Sequence, residues 1–246
     1  MSEYLDEVSK LEFIEMARKT QVVDFSKIAN FLKQKNVRSL FHFTHISNLD
    51  LILTRGLKTR SYLNSKALTF QATDPDRLDR FTESISFSIG EPNRLLLPEK
   101  NSKFGQQLVL LEVSANTLLT QSFAAFPTNA ASGVFKSEIL NNPERYLGIR
   151  GLNGMYQNVK LRDEARIAKD LPTDTQSEIL FFDSIPSSLI QKIHTPPNFP
   201  AESSLVFDPI KLGKHFPEIE NPCACGLFKR QTGIFRRYDI GWENNG

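Results

Sequence analysis

Cysteine is the scarcest chemistry in this chain: two residues in 246, Cys223 and Cys225. They stand too close together to staple a fold and are too few for a closed zinc centre, which takes four ligands. His215 upstream would complete a set of three at most, and no metal is expected. Cysteine poverty of this kind fits a reducing cytoplasm. Long apolar runs are also missing. No stretch reaches the roughly 18 apolar residues that a membrane helix needs, and the opening MSEYLDEVSKLEF is acidic and mixed, without a signal-peptide core. A soluble, cytoplasmic, monomeric protein with no membrane partner is expected. Nor is there a strong excess of one charge. The net charge of +2 and pI near 8.5 allow a nucleic-acid partner through a local patch without requiring one. Neither G-x-G-x-x-G nor G-x-x-x-x-G-K-S/T occurs, so a dinucleotide bound here would not lie in a Rossmann site.

What the sequence has in quantity is phenylalanine, 19 residues against one tryptophan, within 40% hydrophobic and 24% charged residues. That balance supports a sizeable core and, at this length, one large domain or a domain with an appendage. After Asp24, a candidate N-cap, Phe25, Ile28, Phe31 and Leu32 recur at helical spacing. VRSLFHFTHI then reads as a strand with Leu40, His42 and Thr44 on one face and Phe41 and Phe43 on the other. Ser47-x-x-Asp50 resembles a capping box opening a helix that Gly56 closes. ESISFSI (83–89) alternates apolar residues with Ser84, Ser86 and Ser88, and QQLVLLEVSA (106–115) is apolar enough for a central strand.

Residues 120–145 read as loop with one short helix in KSEILNNPERYL, and 145–175 as polar and turn-rich. SEILFFDSI is the next strand, and Pro186 is expected to start a short helix over SSLIQKI. The tail GLFKRQTGIFRRYDIGW interleaves cations with rings, which suits single-stranded nucleic acid; the preferred reading is an amphipathic strand pair around Gly233. Short strands with few helices between them, and no regular βαβ alternation, predict an α+β fold with a mixed or split β-sheet and flanking helices.

Polar residues gather at the ends of three predicted strands: His42, Thr44 and Asn48 in FHFTHISNL, Arg77 ahead of the serine-lined strand, and Gln176 and Glu178 in QSE. Each has an ordinary reading: a satisfied strand histidine, a surface arginine, a solvated strand-end glutamate.

Together these stretches resemble the DarT family, the DNA ADP-ribosyltransferase toxins of DarT–DarG systems. LFHFTHISNLDLILTRGL resembles its H-x-T segment, and RLDRFTESISFSIGEPN its arginine-bearing segment and following strand. FPTNAAS (126–132) and PTDTQSEILFFDSIPSSLIQKI resemble its later blocks, with Ser177 where the family often has Ala. The resemblance covers about residues 25–195 in order. It implies an ADP-ribosyltransferase domain over residues 1–200, with a helical lead-in to about 36 and residues 201–246 packed on the same domain. NAD, the ADP-ribose donor, would lie in a cleft between two small sheets.

Carried over, His42 and Thr44 would hold ribose hydroxyls and Asn48 would help position NAD. Arg77, with Arg80 as its alternative, would meet the phosphates and favour a deprotonated acceptor base. Glu178 would be the catalytic carboxylate, since an anion beside a ribose that is losing nicotinamide gains strength as positive charge grows on that ring. Gln176 would orient the acceptor, and basic residues of 150–175 such as Arg162 and Arg166 would meet phosphates. The implied function is NAD-dependent ADP-ribosylation of a base in single-stranded DNA, as a toxin or phage-defence enzyme with a DarG-like macrodomain partner. The same chemistry on RNA, or a non-catalytic nucleic-acid binder, is the alternative.

Overall fold

The computed structural model describes residues 7–74, 81–105, 107–132, 135, 138–139, 141–195 and 235–237. The first element is longer than its sequence pattern. Helix α1 (Glu7–Lys35) runs straight through Asp24, which is therefore no N-cap of its own helix. Asp24 is buried in mid-helix, and its Oδ2 accepts the backbone N–H of Ile149 at 3.1 Å. It caps the start of a different helix, 125 residues downstream.

Strand β1 (Ser39–His45) follows, then a short 3₁₀ turn and α2 (Leu49–Arg55). The expected capping box does not form. His45 caps the turn by accepting the Ser47 N–H at 3.2 Å, and Asn48 makes no side-chain cap bond. Gly56 ends α2 as expected, at φ 77°, and its conformation is doubly required: a Cβ there would lie 2.5 Å from the Ile185 carbonyl oxygen.

Helix α3 (Arg60–Ser65), strand β2 (Ile85–Ile89), helix α4 (Leu96–Lys103), strand β3 (Leu108–Ser114) and strand β4 (Phe123–Phe126) come next. The turn-rich region holds two helices the sequence did not announce, α5 (Gly148–Met155) and α6 (Val159–Glu164). Strand β5 (Glu178–Phe181) matches the apolar run. The stretch after Pro186, expected to be helical, makes only one 3₁₀ turn and then strand β6 (Ile190–Thr195), paired along β3. Of the tail, residues 235–237 form strand β7 (Phe235–Arg237), parallel to β6. The remainder of the tail, with His215, Cys223 and Cys225, lies outside the described residues. Among those described, no helix is long and apolar enough to cross a membrane.

The strands form one sheet in the order β4-β5-β2-β1-β3-β6-β7, antiparallel except at β6–β7. One face carries Leu40, Ile85, Phe87, Ile89, Val109, Leu111, Val113, Ile179 and Phe181, which pack with Ile28, Phe31 and Leu49 into the main core. On the other face two separate clusters form: Phe126, Leu180 and Phe182 with Phe13 of α1, and Leu108, Leu110 and Phe41 with Leu97 of α4. Alternation along each strand produces this division.

The sheet has a seam. β1 pairs with β3 over seven residues, yet with β2 over only two, Leu40↔Ile89 and Phe41↔Ser88. Beyond Phe41 the two halves, β4-β5-β2 and β1-β3-β6-β7, part company.

Candidate active site

Where β1 and β2 diverge, a cavity of about 360 Å³ opens, lined by His42, Thr44, Ser86, Asn129, Gln176 and Glu178 among others. The imidazole of His42 bridges the seam, its Nδ1 lying 2.8 Å from the Ser86 carbonyl oxygen. A carbonyl oxygen only accepts, so Nδ1 carries the proton, and in the neutral ring Nε2 is the acceptor.

Ser86 also holds the carboxylate. Its hydroxyl donates to Glu178 Oε1, while the Ala130 N–H donates to Glu178 Oε2 at 2.9 Å. Glu178 opens β5 opposite Phe126, so its backbone belongs to a paired strand. The Ala130 amide is presented by a turn in which Asn129 Oδ1 accepts the Ala131 N–H at 2.8 Å. Two oriented donors fix where a charge will stand before any ligand arrives. Next to it, buried Ser177 donates through Oγ to the Pro127 carbonyl at 2.9 Å, tying β5 to the same turn. Gln176 lines the cavity with Glu178, but from a turn anchored on Asp174 (N–H to Oδ1, 2.8 Å) rather than from the strand.

Thr44 and Asn48 are both at the cavity, and both are buried. Asn48 Nδ2 donates to Thr44 Oγ1 at 3.0 Å and to the Gln71 carbonyl at 2.9 Å, and Asn48 Oδ1 accepts the Gln71 N–H at 2.8 Å. Both amide hydrogens are thereby committed. Asn48 accordingly positions the 70–74 segment, a wall of the cavity, instead of offering a donor to a ligand. Asp74 ends that wall: Arg60 Nη2 donates to its carbonyl, and Lys100 Nζ lies 3.5 Å from its carboxylate. Sequence reasoning missed Lys100, whose helix α4 brings it to the cavity. It also noted Ser86 only as one of three alternating serines. That alternation was the available signal.

Arg77 and its alternative Arg80 lie outside the described residues. Arg162, expected to meet nucleic-acid phosphates, is buried and spent elsewhere. Its Nη1 donates to the Leu171 carbonyl at 2.9 Å and to Thr173 Oγ1 at 3.2 Å, and its Nη2 to the Ala168 carbonyl at 3.0 Å. Its guanidinium stacks over Tyr156 at 5.1 Å from the ring centroid. Burial of the Tyr156 ring pushes its phenol above the ordinary range. Arg162 is a brace for the 165–173 loop. Arg166 is exposed, at φ 52°, and does not line the cavity.

Among solved structures, similarity is found to Thermosipho africanus DarTG in complex with ADP-ribose, at 13% identity over 83% of this chain and 50% of that one, TM-score 0.48. The present chain thus spans half the length of that DarTG chain. Thermus sp. 2.9 DarT in complex with ADP-ribosylated ssDNA is similar at 18% identity over 73% of this chain and 89% of that one, TM-score 0.43. The same Thermus protein in complex with NAD+ gives 18% identity, 73% and 90% coverage and TM-score 0.41. No curated protein matches the sequence. Residues 41–203, from the strand that carries His42 past the strand that carries Glu178, match the family described as "ssDNA thymidine ADP-ribosyltransferase, DarT". The chain belongs to the DarT family.

Proposed function

We propose that this chain transfers ADP-ribose from NAD to thymidine in single-stranded DNA, with Glu178 as the catalytic carboxylate. The observation that carries the reading is the tethering of His42 and Glu178 to one residue, Ser86, inside one cavity. In the reaction the bond between ribose and nicotinamide breaks and its electron pair leaves with nicotinamide. A bond from a thymine ring nitrogen to that ribose carbon forms, and the base gives up a proton. Positive charge grows on the ribose as the first bond lengthens, and a carboxylate already held by Ser86 and Ala130 stabilises it without having to reorganise. His42 Nε2 suits a ribose hydroxyl, and Thr44 lies on the same strand face.

The lining fits NAD as a substrate. Lys58, Arg60 and Lys100 supply positive charge for a diphosphate, and Phe70 and Leu63 supply apolar surface for a ring. Gln176 lines the cavity with Glu178, which supports its assignment to orienting the acceptor base. Arg77 or Arg80, ahead of β2, remains assigned to the phosphates and base on the strength of the family pattern.

Single strands are the fitting substrate because a duplex hides ring nitrogens inside base pairs, and extruding one costs about a few kcal/mol. Modifying such a nitrogen blocks pairing. The same proposal therefore includes a toxin role and a DarG-like macrodomain partner that reverses the modification. The test is mass spectrometry after incubating the protein with NAD and defined oligonucleotides. A gain of one ADP-ribose on thymidine-containing DNA, lost in Glu178→Ala, is expected. Gain on RNA alone, or no gain with no NAD consumed, overturns the reading.

A further inference from the structure

A second groove, of about 410 Å³, lies on the other side of the turn that holds Glu178. Pro127 lines this groove while Asn129 and Ala131 line the cavity, so one short segment is a wall common to both. The rest of the groove is built by α5 and the aromatic cluster beneath it. Arg150, Asn153 and Gln157 are exposed and line it at spacings of three and four, one face of α5 and its C-terminal extension. None of the three side chains has a hydrogen-bonding or ionic partner among the described residues. Phe135 and Tyr146 pack edge to face at its base, 5.4 Å between centroids. The one carboxylate among the described residues of the groove, Glu138, is already neutralised. Arg145 Nη1 lies 3.4 Å from it, and the Tyr146 hydroxyl donates to it. Among the described residues of the groove, that leaves Arg150 as the uncompensated charge.

We propose that this groove seats the nucleotides next to the modified thymidine, with Arg150 on a phosphate and Asn153 and Gln157 at base edges. The inference rests on the function proposed above and extends it to the path of the strand. A cation for the backbone and amides able both to donate and to accept are what a single strand requires and what an uncharged or cationic ligand would not use. The shared wall supplies the geometry: a strand running through the groove and over 127–131 delivers its next base to Glu178.

The test uses the full-length protein and a labelled thymidine-containing single-stranded oligonucleotide. Arg150→Ala is expected to weaken binding about tenfold and to lower the slope of log affinity against log salt by about one, the mark of one lost phosphate contact. Asn153→Ala should change which neighbouring base is preferred. Lys192→Ala, on β6 and separated from β4 by four strands of the sheet, should change neither. NAD consumption without DNA should be the same in all, which separates strand seating from the chemistry. If Arg150→Glu binds and modifies the oligonucleotide as the parent does, the groove is not the strand's path, although the proposed function stands. If the parent itself neither binds nor modifies DNA, both fall together.

Discussion

His42 and Ser86 face each other across the seam of the sheet, imidazole Nδ1 to carbonyl oxygen at 2.8 Å, just beyond the last backbone pair of β1 and β2. Ser86 thus holds His42 by its backbone carbonyl and Glu178 by its hydroxyl. Removing the hydroxyl alone separates the two duties. Ser86→Ala is expected to lower kcat by roughly tenfold to a hundredfold, the cost of one hydrogen bond to a charged group, while KM for NAD changes little because His42 keeps its carbonyl. Glu178→Ala should cost about 10²–10³ in rate, as for loss of a single transition-state electrostatic contact. Steady-state kinetics of ADP-ribose transfer check both, and equal kcat in Ser86→Ala and parent would remove Ser86 from the site.

Asn48→Asp reverses the polarity of a group that is buried and fully committed. It loses both donors to Thr44 and Gln71 and places an anion against the Gln71 carbonyl. The 70–74 wall should loosen. Stability should fall by about 3 kcal/mol and KM for NAD should rise more than kcat falls. Urea unfolding and initial rates are the measurements.

For Arg162 the contrast is between a brace and a DNA contact. In Arg162→Lys a single ammonium nitrogen replaces the two spaced guanidinium nitrogens that together reach three acceptors, so this hydrogen-bond set is not reproduced. A loss of about 2–3 kcal/mol in unfolding free energy is expected, with the salt slope of DNA binding unchanged. A slope lowered by one, with stability intact, would return Arg162 to the substrate.

Glu112 gives a pH signature. It is buried, accepts from His194 Nε2 at 2.9 Å and from Ser39 Oγ at 2.7 Å, and has Lys192 at 3.4 Å. The hydrogen bond from His194, with Ser39 and Lys192 behind it, brings its carboxyl from 4.5 down to about 2 despite burial. A depressed carboxyl stabilises the fold fully above its ordinary value, and that contribution is lost as pH falls from about 4.5 towards about 2. It amounts to about 3 kcal/mol at most. Denaturation curves between pH 6 and pH 2 should therefore be flatter in Glu112→Gln than in the parent. Parallel curves would show that the carboxylate does not carry this linkage.

Asp24→Ala removes a cap supplied from another helix. The Ile149 N–H loses its acceptor, and the cost should be about 1–2 kcal/mol, as for an N-cap deletion. Hydrogen exchange at Ile149 should quicken more than exchange in α1. If only α1 is affected, Asp24 serves its own helix after all.

Period-two and helical patterns found β1, β2, β3 and β5, because each half-buried or buried strand writes its burial into neighbouring residues. They failed where the decisive partner lies far along the chain. β6 reads as a helix after Pro186, yet β3 offers it a ladder 80 residues upstream, with Glu112↔Lys192 in register. α5, in GIRGLNGM, looks like a turn because glycine disfavours helix. Gly151 is needed there, since a Cβ would stand 2.4 Å from the Tyr146 carbonyl oxygen. β4 is the four-residue FAAF, entirely buried and too short to show a period.

The site divides in the same way. His42, Thr44, Gln176 and Glu178 could be named from residue type and strand position, and the structure gathers them in one cavity. The double role of Ser86 could not, because alternation gives a face and no distance. Arg162 misled for a simple reason: a basic residue in a polar stretch reads alike whether it is solvated or bracing a loop.

The strand bearing Glu178 lies between β4 and β2, both of which precede it in the chain. During synthesis these neighbours emerge first, and β5 then enters between them. Any fragment ending before residue 178 therefore has both an open sheet and no carboxylate. A chain that holds Glu178 in its paired position has therefore already closed the gap.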